Sequence, residues 1–381
     1  MRSVYVLGAS MIPFGKYPDR ALDNLGRPAA IGAIRDAGIP KSDIDAAYCG
    51  TAMGGMLAGQ RVLRNIGMTG IPISNVENAC SSSAAAFHTA WMAVSGGHHD
   101  VALVLGVEKL TKFGGGTLPL EDEDWEVGQG MTMPALYAMR ARRYMYERDL
   151  TRQQLAEIAV KAKSNGALNP YAQLRKPITV DQVLESRMIA DPLRLFDCCP
   201  TGDGAAALVI CDESTATRLG RRQIRVLAST LSSGHYEAGY RDITVAEISA
   251  RTARAAYEMA GIGPEDVDVA EVHDAFSIAE VMYYEALGFC DPGDAPKLID
   301  EKATHLGGRL PVNPSGGLLA RGHPVGATGA AQLVEMTWQL RGETGDRQVA
   351  GAEIGLTHVT GGGISGLDHG ACTINILAKV A

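Results

Sequence analysis

The 381-residue sequence has no regularly spaced cysteines, no basic cluster and no long apolar run, and each absence argues against a class of protein. Seven scattered cysteines without a CxxC pair predict neither a disulfide framework nor a zinc site, and they fit a reducing cytoplasm. A net charge of −8 argues against nucleic acid as a partner. No apolar run reaches membrane-spanning length, and the first residues show no signal-peptide pattern. We therefore expect a cytoplasmic protein that binds no metal and does not cross a membrane.

An internal repeat is present in the chain. Residues 37–46 and 260–269 share an Ala-Gly-Ile helix end, a turn, and an Asp-β-branched-Asp start to an apolar strand. In each half another helix then leads into another apolar strand, at 81–106 and at 328–357. Such apolar runs are typical of buried parallel strands with helices on both faces. The sequence therefore predicts an α/β fold of two duplicated βαβαβ halves, with chance similarity as the alternative.

Residues 111–200 break this pattern. The segment begins Gly-rich and acidic, and helical periodicity follows at 134–148 and 151–165, with Thr151 as a candidate N-cap. We interpret it as a partly helical lobe inserted into the first half. The predicted domains are therefore 1–235 for the N-terminal half, lobe included, and 236–381 for the C-terminal half.

Cys80 stands at the start of a predicted helix, 81–94, in the segment ENACSSSAAA. Unpaired backbone N–H groups and the helix dipole at such a position favour a thiolate and lower the pKa of a thiol. We therefore predict that Cys80 is a covalent nucleophile with a lowered pKa. The alternative is a buried structural cysteine.

Three histidines stand in segments typical of a ligand site. His323 lies in GGLLARGHPVGATG, whose glycines let backbone approach a ligand, and it could take the proton of a thiol. His273 follows an apolar strand in EVHDAF, and the neighbouring Asp274 could orient an imidazole or cap a helix. His358 precedes the triplet Gly361–Gly363, whose N–H groups could stabilise an oxyanion. Each histidine has the alternative of an ordinary hydrogen-bonded loop or core residue.

These segments resemble the active-site loops of the thiolase superfamily, and most of all those of sterol-carrier-protein-type thiolases and their bacterial and archaeal acetyl-CoA acetyltransferase relatives. The resemblance covers essentially the whole chain. It implies the thiolase fold, a layered α/β/α/β/α body with an inserted helical loop lobe. It also implies a CoA-dependent acyltransferase that cleaves or forms a carbon–carbon bond by thiolysis or Claisen chemistry.

The resemblance implies roles for the four residues. Cys80 would take the acyl group from a CoA thioester, and His323 would activate the thiol and help bind the thioester oxygen. His273 would help to form an oxyanion hole. His358 would occupy the loop that carries the second catalytic cysteine in ordinary thiolases.

CoA and protein partners are also implied by the resemblance. A CoA thioester would be a substrate lying against the lobe, not a permanently bound cofactor. Arg175 and Lys176 are candidate neighbours of its phosphates, and Ser315 and Gly316 are further candidates for CoA contacts. A homodimer or dimer of dimers would pair through the first sheet, with the apolar strand 101–106 as a candidate interface strand; a buried core strand is the alternative for the same residues. Some relatives also work with a small OB-fold protein.

The chain departs from the ordinary thiolase pattern because no second active-site thiol remains. His358 occupies one expected position, and Ala275 stands where some relatives carry cysteine. Either His358 or His273 transfers the α-carbon proton, or the reaction is not an ordinary Claisen condensation. An extra loop, 364–370, adds His369 as a competing candidate. Retro-aldol cleavage of a CoA-linked side chain and a non-catalytic scaffold subunit stay open as alternatives.

Overall fold

The computed structural model describes residues 1–121, 123–221, 223–236, 241–366 and 368–380, so residue 367 of the extra loop lies outside the described residues. The strands are β1 (Val4–Met11), β2 (Ala46–Gly50), β3 (Ile73–Val76), β4 (Val101–Lys109), β5 (Met188–Ala190), β6 (Leu193–Arg194), β7 (Asp203–Asp212), β8 (Ile224–Ser232), β9 (Val269–Glu271), β10 (Ile354–Gly361) and β11 (Ala371–Lys379).

The α-helices are α1 (Leu22–Ala37), α2 (Ala58–Arg64), α3 (Ser82–Ser95), α4 (Trp125–Gly128), α5 (Met133–Arg148), α6 (Arg152–Leu168), α7 (Val180–Glu185), α8 (Glu213–Arg218), α9 (Glu247–Ala260), α10 (Ser277–Ala286), α11 (Ala295–Asp300), α12 (Gly317–Ala320) and α13 (Thr328–Arg341). Each helix in the described ranges is too short or too polar to cross a lipid bilayer.

Nine strands form a mixed sheet in the order β3-β2-β4-β7-β1-β8-β11-β10-β9. Only three residue pairs join β1 to β8, so the sheet consists of two smaller sheets that meet at an edge. In the first, β3, β2 and β4 are parallel, and β7 and β1 are antiparallel to their neighbours. In the second, β9 and β10 are parallel, β11 and β8 are antiparallel, and a parallel bridge at Val312 takes the place of β3. This confirms the predicted duplication.

The repeated helix–turn–strand unit keeps the same local interactions in both halves. Helices α1 and α9 end at Gly38 and Gly261, whose left-handed φ angles are 68° and 72°. The Asp45 carboxylate accepts two backbone N–H bonds of 2.8 and 2.9 Å where β4 begins. Asp268 accepts the equivalent pair, both 2.8 Å, where β10 begins. Each aspartate therefore ties its own segment to the neighbouring parallel strand.

Alternating side chains along the strands divide the core into layers. Val4 and Val6 of β1 face a central layer that contains α3 and α13, whereas Tyr5 and Leu7 face α1 and α2. Helices α9 and α10, together with α5 and α6 of the lobe, cover the outer face of the second sheet. The result is the predicted α/β/α/β/α body.

The lobe contains the two long helices that the periodicity predicted, and Thr151 caps α6 by accepting the N–H of Gln154 at 3.1 Å.

The domain bounds at 235 and 236 stay a prediction. Of the two interpretations of the apolar strand 101–106, the structure supports the buried core strand, since it belongs to β4, which is hydrogen-bonded to β2 on one side and β7 on the other. Such a strand has no free edge for a partner subunit, and β3 is the outermost strand of this half.

Candidate active site

The site forms where the N-terminal ends of the two central helices meet. Helices α3 and α13 pack closely because Gly329 faces Ala84; a Cβ at Gly329 would lie 2.6 Å from the Ala84 Cβ. Cys80 lies in the short 3-10 turn before α3, and His323 lies in the loop before α13. The packing of the two repeats therefore brings together residues that are far apart in the sequence.

A thiol, two imidazoles and a hydroxyl form the centre of the site. Cys80 Sγ lies 3.2 Å from His323 Nε2, and His323 Nδ1 lies 2.7 Å from Thr328 Oγ1. The buried ring of His273 meets that of His323 edge-on, with centroids 5.0 Å apart. Donor atoms of Cys80, His273 and His323 lie within 4.8 Å of one another, and in the described ranges no other set of three His, Cys, Asp or Glu side chains comes as close together. With the far nitrogen of His323 fixed by a hydroxyl, the arrangement suits proton transfer from the thiol.

The electrostatics contradict the expected low pKa of the thiol. Burial raises the pKa of Cys80 to about 12; the N–H groups of Gly362 and Cys80 lower it, but they do not offset burial, and the charge of Glu108 raises it further. The helix begins only at the second residue after Cys80, beyond the position that the sequence suggested. Burial, assisted by Arg321, also lowers the pKa of His323 to about 3. The resting pair is therefore a neutral thiol and a neutral imidazole.

The glycine triplet after β10 lies against the turn that carries the thiol. A Cβ at Gly361 would lie 2.1 Å from the Asn78 carbonyl oxygen, so no larger residue fits. Gly362 has a φ of 65°, and its backbone N–H donates to the Cys80 thiol. The N–H of Cys80 itself faces the same sulfur. Two backbone N–H groups thus act on the sulfur and favour its thiolate form.

The loop of His323 is held by buried charges. The Glu271 carboxylate accepts from the Ser315 N–H at 3.0 Å, from the Ser315 hydroxyl at 2.7 Å and from the Arg321 guanidinium at 3.0 Å. Asp274, expected to orient an imidazole or cap the helix after it, instead accepts two backbone N–H groups of α12. Both carboxylates therefore shape the chain before His323.

Glu108, at the end of β4, connects this loop to the first half of the chain. Its buried carboxylate accepts the N–H of Gly326 at 3.0 Å, of Ala52 at 2.8 Å and of Met53 at 3.0 Å, and the Thr51 hydroxyl at 3.2 Å. One side chain therefore fixes the segment after His323 against a turn of the other repeat.

His358 makes its contacts with Ser249 and Tyr283. It is fully buried in β10, its Nε2 lies 2.9 Å from Ser249 Oγ, and its ring centroid lies 4.3 Å from that of Tyr283. Burial, followed by the effect of His369, lowers its pKa to about 3. The catalytic role expected for His358 stays a prediction.

The four expected CoA-contacting residues fall into two pairs. Arg175 and Lys176 are exposed on the loop between α6 and α7, just after two residues whose N–H groups bond to the backbone before His323. Ser315 and Gly316 are buried, and a Cβ at Gly316 would lie 2.7 Å from Gly166 of α6. The internal pair packs the loop of His323 against the lobe. Contact with CoA stays a prediction for all four.

Tyr137 of α5 has no sequence signal, because a tyrosine in a helical pattern is usually a core residue. Its hydroxyl lies 2.8 Å from Nε2 of His369, the competing histidine of the extra loop. The ring of Tyr137 stacks on Phe276, three residues after His273, at a centroid distance of 4.6 Å. The lobe and the extra loop thus place a second hydrogen-bonded pair, Tyr137 and His369, at the border of the site.

Comparison with known proteins agrees with this geometry. The family models "Thiolase, N-terminal domain" and "Thiolase C-terminal domain-like" match residues 4–214 and 230–369. An acetyl-CoA acetyltransferase of Methanothermobacter thermautotrophicus is 44% identical over 95% of this chain and 97% of the relative. The benzoylsuccinyl-CoA thiolase subunit BbsB of Thauera aromatica is 42% identical over 98% of both chains. Human sterol carrier protein 2 is 35% identical over 95% of this chain and 70% of the relative.

Among solved structures, that of an Ltp2-ChsH2(DUF35) aldolase covers 99% of this chain and 98% of its own. It matches with a TM-score of 0.86 at 26% sequence identity.

Proposed function

We propose that Cys80 carries the acyl group between two half-reactions, because the chain belongs to the thiolase family and is a CoA-dependent acyltransferase. The observation that carries this proposal is the 3.2 Å contact between Cys80 Sγ and His323 Nε2. The second nitrogen of His323 is held by Thr328, so the imidazole presents one fixed nitrogen to the thiol.

In the first half-reaction, His323 takes the proton of Cys80 as the sulfur attacks the thioester carbonyl. Because both groups are neutral at rest, the proton moves together with the attack and not before it. The N–H groups of Gly362 and Cys80 stabilise the tetrahedral oxyanion. The carbon–sulfur bond to CoA then breaks, His323 returns the proton to the leaving CoA sulfur, and the acyl group stays on Cys80.

In the second half-reaction, the acyl group passes to the α-carbon of a second CoA thioester, or in reverse a 3-ketoacyl-CoA is cleaved by CoA. His273, edge-on to His323 and without a partner on its buried Nδ1, is suited to donate a hydrogen bond to the thioester oxygen of the incoming substrate. Burial, and then the neighbouring histidines, holds the pKa of His273 well below its ordinary value. A neutral donor at this point stabilises an enolate without itself gaining a charge.

CoA binds in this proposal between the lobe and the loop of His323, with Arg175 and Lys176 near its phosphates. Two cationic side chains on an exposed loop that is hydrogen-bonded to the backbone before His323 support this placement. Replacing both with alanine should raise KM for acyl-CoA and leave kcat within about twofold, since phosphate contacts are made equally in ground and transition states. An unchanged KM would contradict the placement.

The proposal extends to quaternary structure. A homodimer would pair through β3, the outermost strand of the first sheet, which carries half-buried and exposed residues. The name Ltp2-ChsH2(DUF35) aldolase includes a second component beside the thiolase-like chain, which supports testing for a small partner protein. Sedimentation of the isolated chain, and activity measured with and without a co-expressed DUF35 protein, test the two points separately.

Intact mass after incubation with a panel of acyl-CoA thioesters tests the central proposal. The protein should gain the mass of one acyl group, peptide mapping should locate it on Cys80, and Cys80→Ala should abolish it. Cys290→Ser, at a partly buried cysteine outside the site, is the matched control and should acylate normally. A chain that gains no acyl group from any thioester in the panel would contradict the assignment.

Retro-aldol cleavage of a CoA-linked side chain is the second candidate, because the aldolase neighbour covers 99% of this chain at a TM-score of 0.86. That reaction forms no acyl-enzyme. A Cys80→Ser variant that keeps full turnover on a β-hydroxyacyl-CoA would favour it over acyl transfer.

A further inference from the structure

A second buried acid–base group lies at the border of the site, built from the lobe and the extra loop. Tyr137 O–H meets His369 Nε2 at 2.8 Å, and His369 Nδ1 lies 3.3 Å from Asp368 Oδ1. The Arg140 guanidinium lies 2.5 Å from the same carboxylate oxygen. All four residues are less than 6% exposed. Hydroxyl, imidazole and carboxylate follow one another in the order of a catalytic triad, with a phenol in the first place. Asp368 lies at ion-pair distance from His369 Nδ1 but not in hydrogen-bonding geometry, so it can stabilise a charge on the imidazole.

The phenol of Tyr137 lies between the two loops that border Cys80. Its ring stacks on Phe276 of the segment that carries His273. One turn earlier in α5, Met133 lies against the glycine triplet: a Cβ at Gly363 would come within 2.9 Å of its methyl group. That triplet in turn packs on the turn of Cys80.

Acyl transfer to carbon requires a second proton transfer after the acyl group has reached Cys80. Forming the bond demands removal of a proton from the α-carbon of the incoming thioester, and cleaving it demands the return of that proton. In the part of the chain that the structure describes, the charges that act on the pKa of His273 are those of other histidines. The contacts of His358 are with Ser249 and Tyr283. His369 has Asp368 beside it.

We propose that Tyr137, coupled to His369 and Asp368, moves the α-carbon proton in the second half-reaction. This inference rests on the proposed acyl-enzyme function and deepens it. In the condensation direction, the α-carbon–hydrogen bond breaks and its proton passes to the Tyr137 oxygen, while the phenol proton passes to His369 Nε2. The imidazolium then faces the Asp368 carboxylate.

The electron pair of the broken carbon–hydrogen bond goes into the enolate and then into the new carbon–carbon bond. The enolate carbon attacks the acyl-enzyme carbonyl, the new carbon–carbon bond forms, and the carbon–sulfur bond to Cys80 breaks. Cys80 leaves as a thiolate, which gains one proton from water as His369 loses one, so charge and atoms balance. Tyr283, whose hydroxyl lies 3.1 Å from Thr360, lowers the pKa that burial raises at Tyr137.

Two readouts on the whole chain test the proposal, with acetyl-CoA as the probe. Acetylation of Cys80, followed by intact mass, reports the first half-reaction. Uptake of deuterium into the acetyl group of acetyl-CoA in D2O reports α-carbon proton transfer. The variants are Tyr137→Phe and His369→Gln, with Tyr146→Phe as the matched control, because Tyr146 lies on the same helix and is 80% exposed.

Tyr137→Phe should slow deuterium uptake by about 100-fold or more and change the acetylation rate by less than about threefold. His369→Gln should slow uptake by about tenfold or more, since the phenol keeps its position but loses its base. Tyr146→Phe should match the unsubstituted chain in both readouts.

Deuterium uptake that survives Tyr137→Phe would overturn the proposal, as would an equal loss of both readouts, which marks a structural role. An unsubstituted chain that acetylates Cys80 without exchanging any α-hydrogen would also overturn it. Absence of acetylation in the unsubstituted chain is the distinct failure of the proposed function. Should Tyr137→Phe not fold, His369→Gln decides the matter by the same two readouts.

Discussion

The thiol of Cys80 should react with iodoacetamide much more slowly at neutral pH than an ordinary cysteine does. Only the thiolate attacks the reagent, so the rate follows the thiolate fraction. Burial raises the pKa of Cys80 from 9.0 to about 12. At pH 8 the thiolate fraction then falls from about one in ten to about one in ten thousand, a difference of about a thousandfold in rate.

The pH profile of alkylation separates this effect from poor access to the reagent. Steric hindrance lowers the rate by the same factor at every pH, whereas a raised pKa changes the shape of the curve. The logarithm of the rate should rise linearly, about tenfold per pH unit, from pH 6 to pH 10. Peptide mapping assigns the label to Cys80, and N-acetylcysteine provides the reference curve, which should level off above its own pKa.

A plateau that begins below pH 8 would refute the reasoning. It would mean that Cys80 and His323 form a thiolate–imidazolium pair at rest, and that the site overcomes burial before any substrate arrives. The profile therefore decides whether activation precedes substrate binding or accompanies it.

Three further substitutions have defined outcomes. Gly329→Ala places a methyl group 2.6 Å from the Cβ and 2.7 Å from the backbone nitrogen of Ala84, so it should lower the free energy of unfolding by about 1–3 kcal/mol in a urea titration; unchanged stability would contradict the close packing of the central helices. Thr328→Val removes the hydroxyl at Nδ1 of His323 and should slow acylation about tenfold or more without changing KM, and an unchanged rate would show that this contact does not orient the ring. Glu108→Gln replaces one accepting oxygen by a donor that faces backbone N–H groups and should lower the unfolding free energy by about 1–3 kcal/mol; a neutral result would show that the turn relaxes.

Much of the fold was predictable because both halves repeat the same turn chemistry. A glycine must occupy the left-handed helix end at Gly38 and Gly261, and an aspartate must accept two N–H groups at Asp45 and Asp268. Such constraints act on individual residues, so they can be recognised in a single sequence. The packing partners of an apolar run leave no such mark, which is why the sequence could not decide whether strand 101–106 lies at an interface or in the core.

The candidate site was partly predictable for a similar reason. Glycines that cannot be replaced surround Cys80 and His323, and Gly329 and Gly361 stand where a Cβ would collide with backbone. The pKa of Cys80 was wrongly predicted because helix-end effects are local, whereas burial depends on the whole fold. Tyr137 could not be found from the sequence, because its significance lies in a contact with His369, 232 positions away.

The segments that precede the two central helices each carry one member of the thiol–imidazole pair, and this limits which substitutions the protein tolerates. A slip of one helix past the other by one residue is about 1.5 Å, enough to break a contact of 3.2 Å. Neither repeat is a working enzyme on its own, so selection for catalysis acts on their alignment. Substitutions where α3 and α13 pack together should therefore abolish catalytic activity well before they unfold the protein.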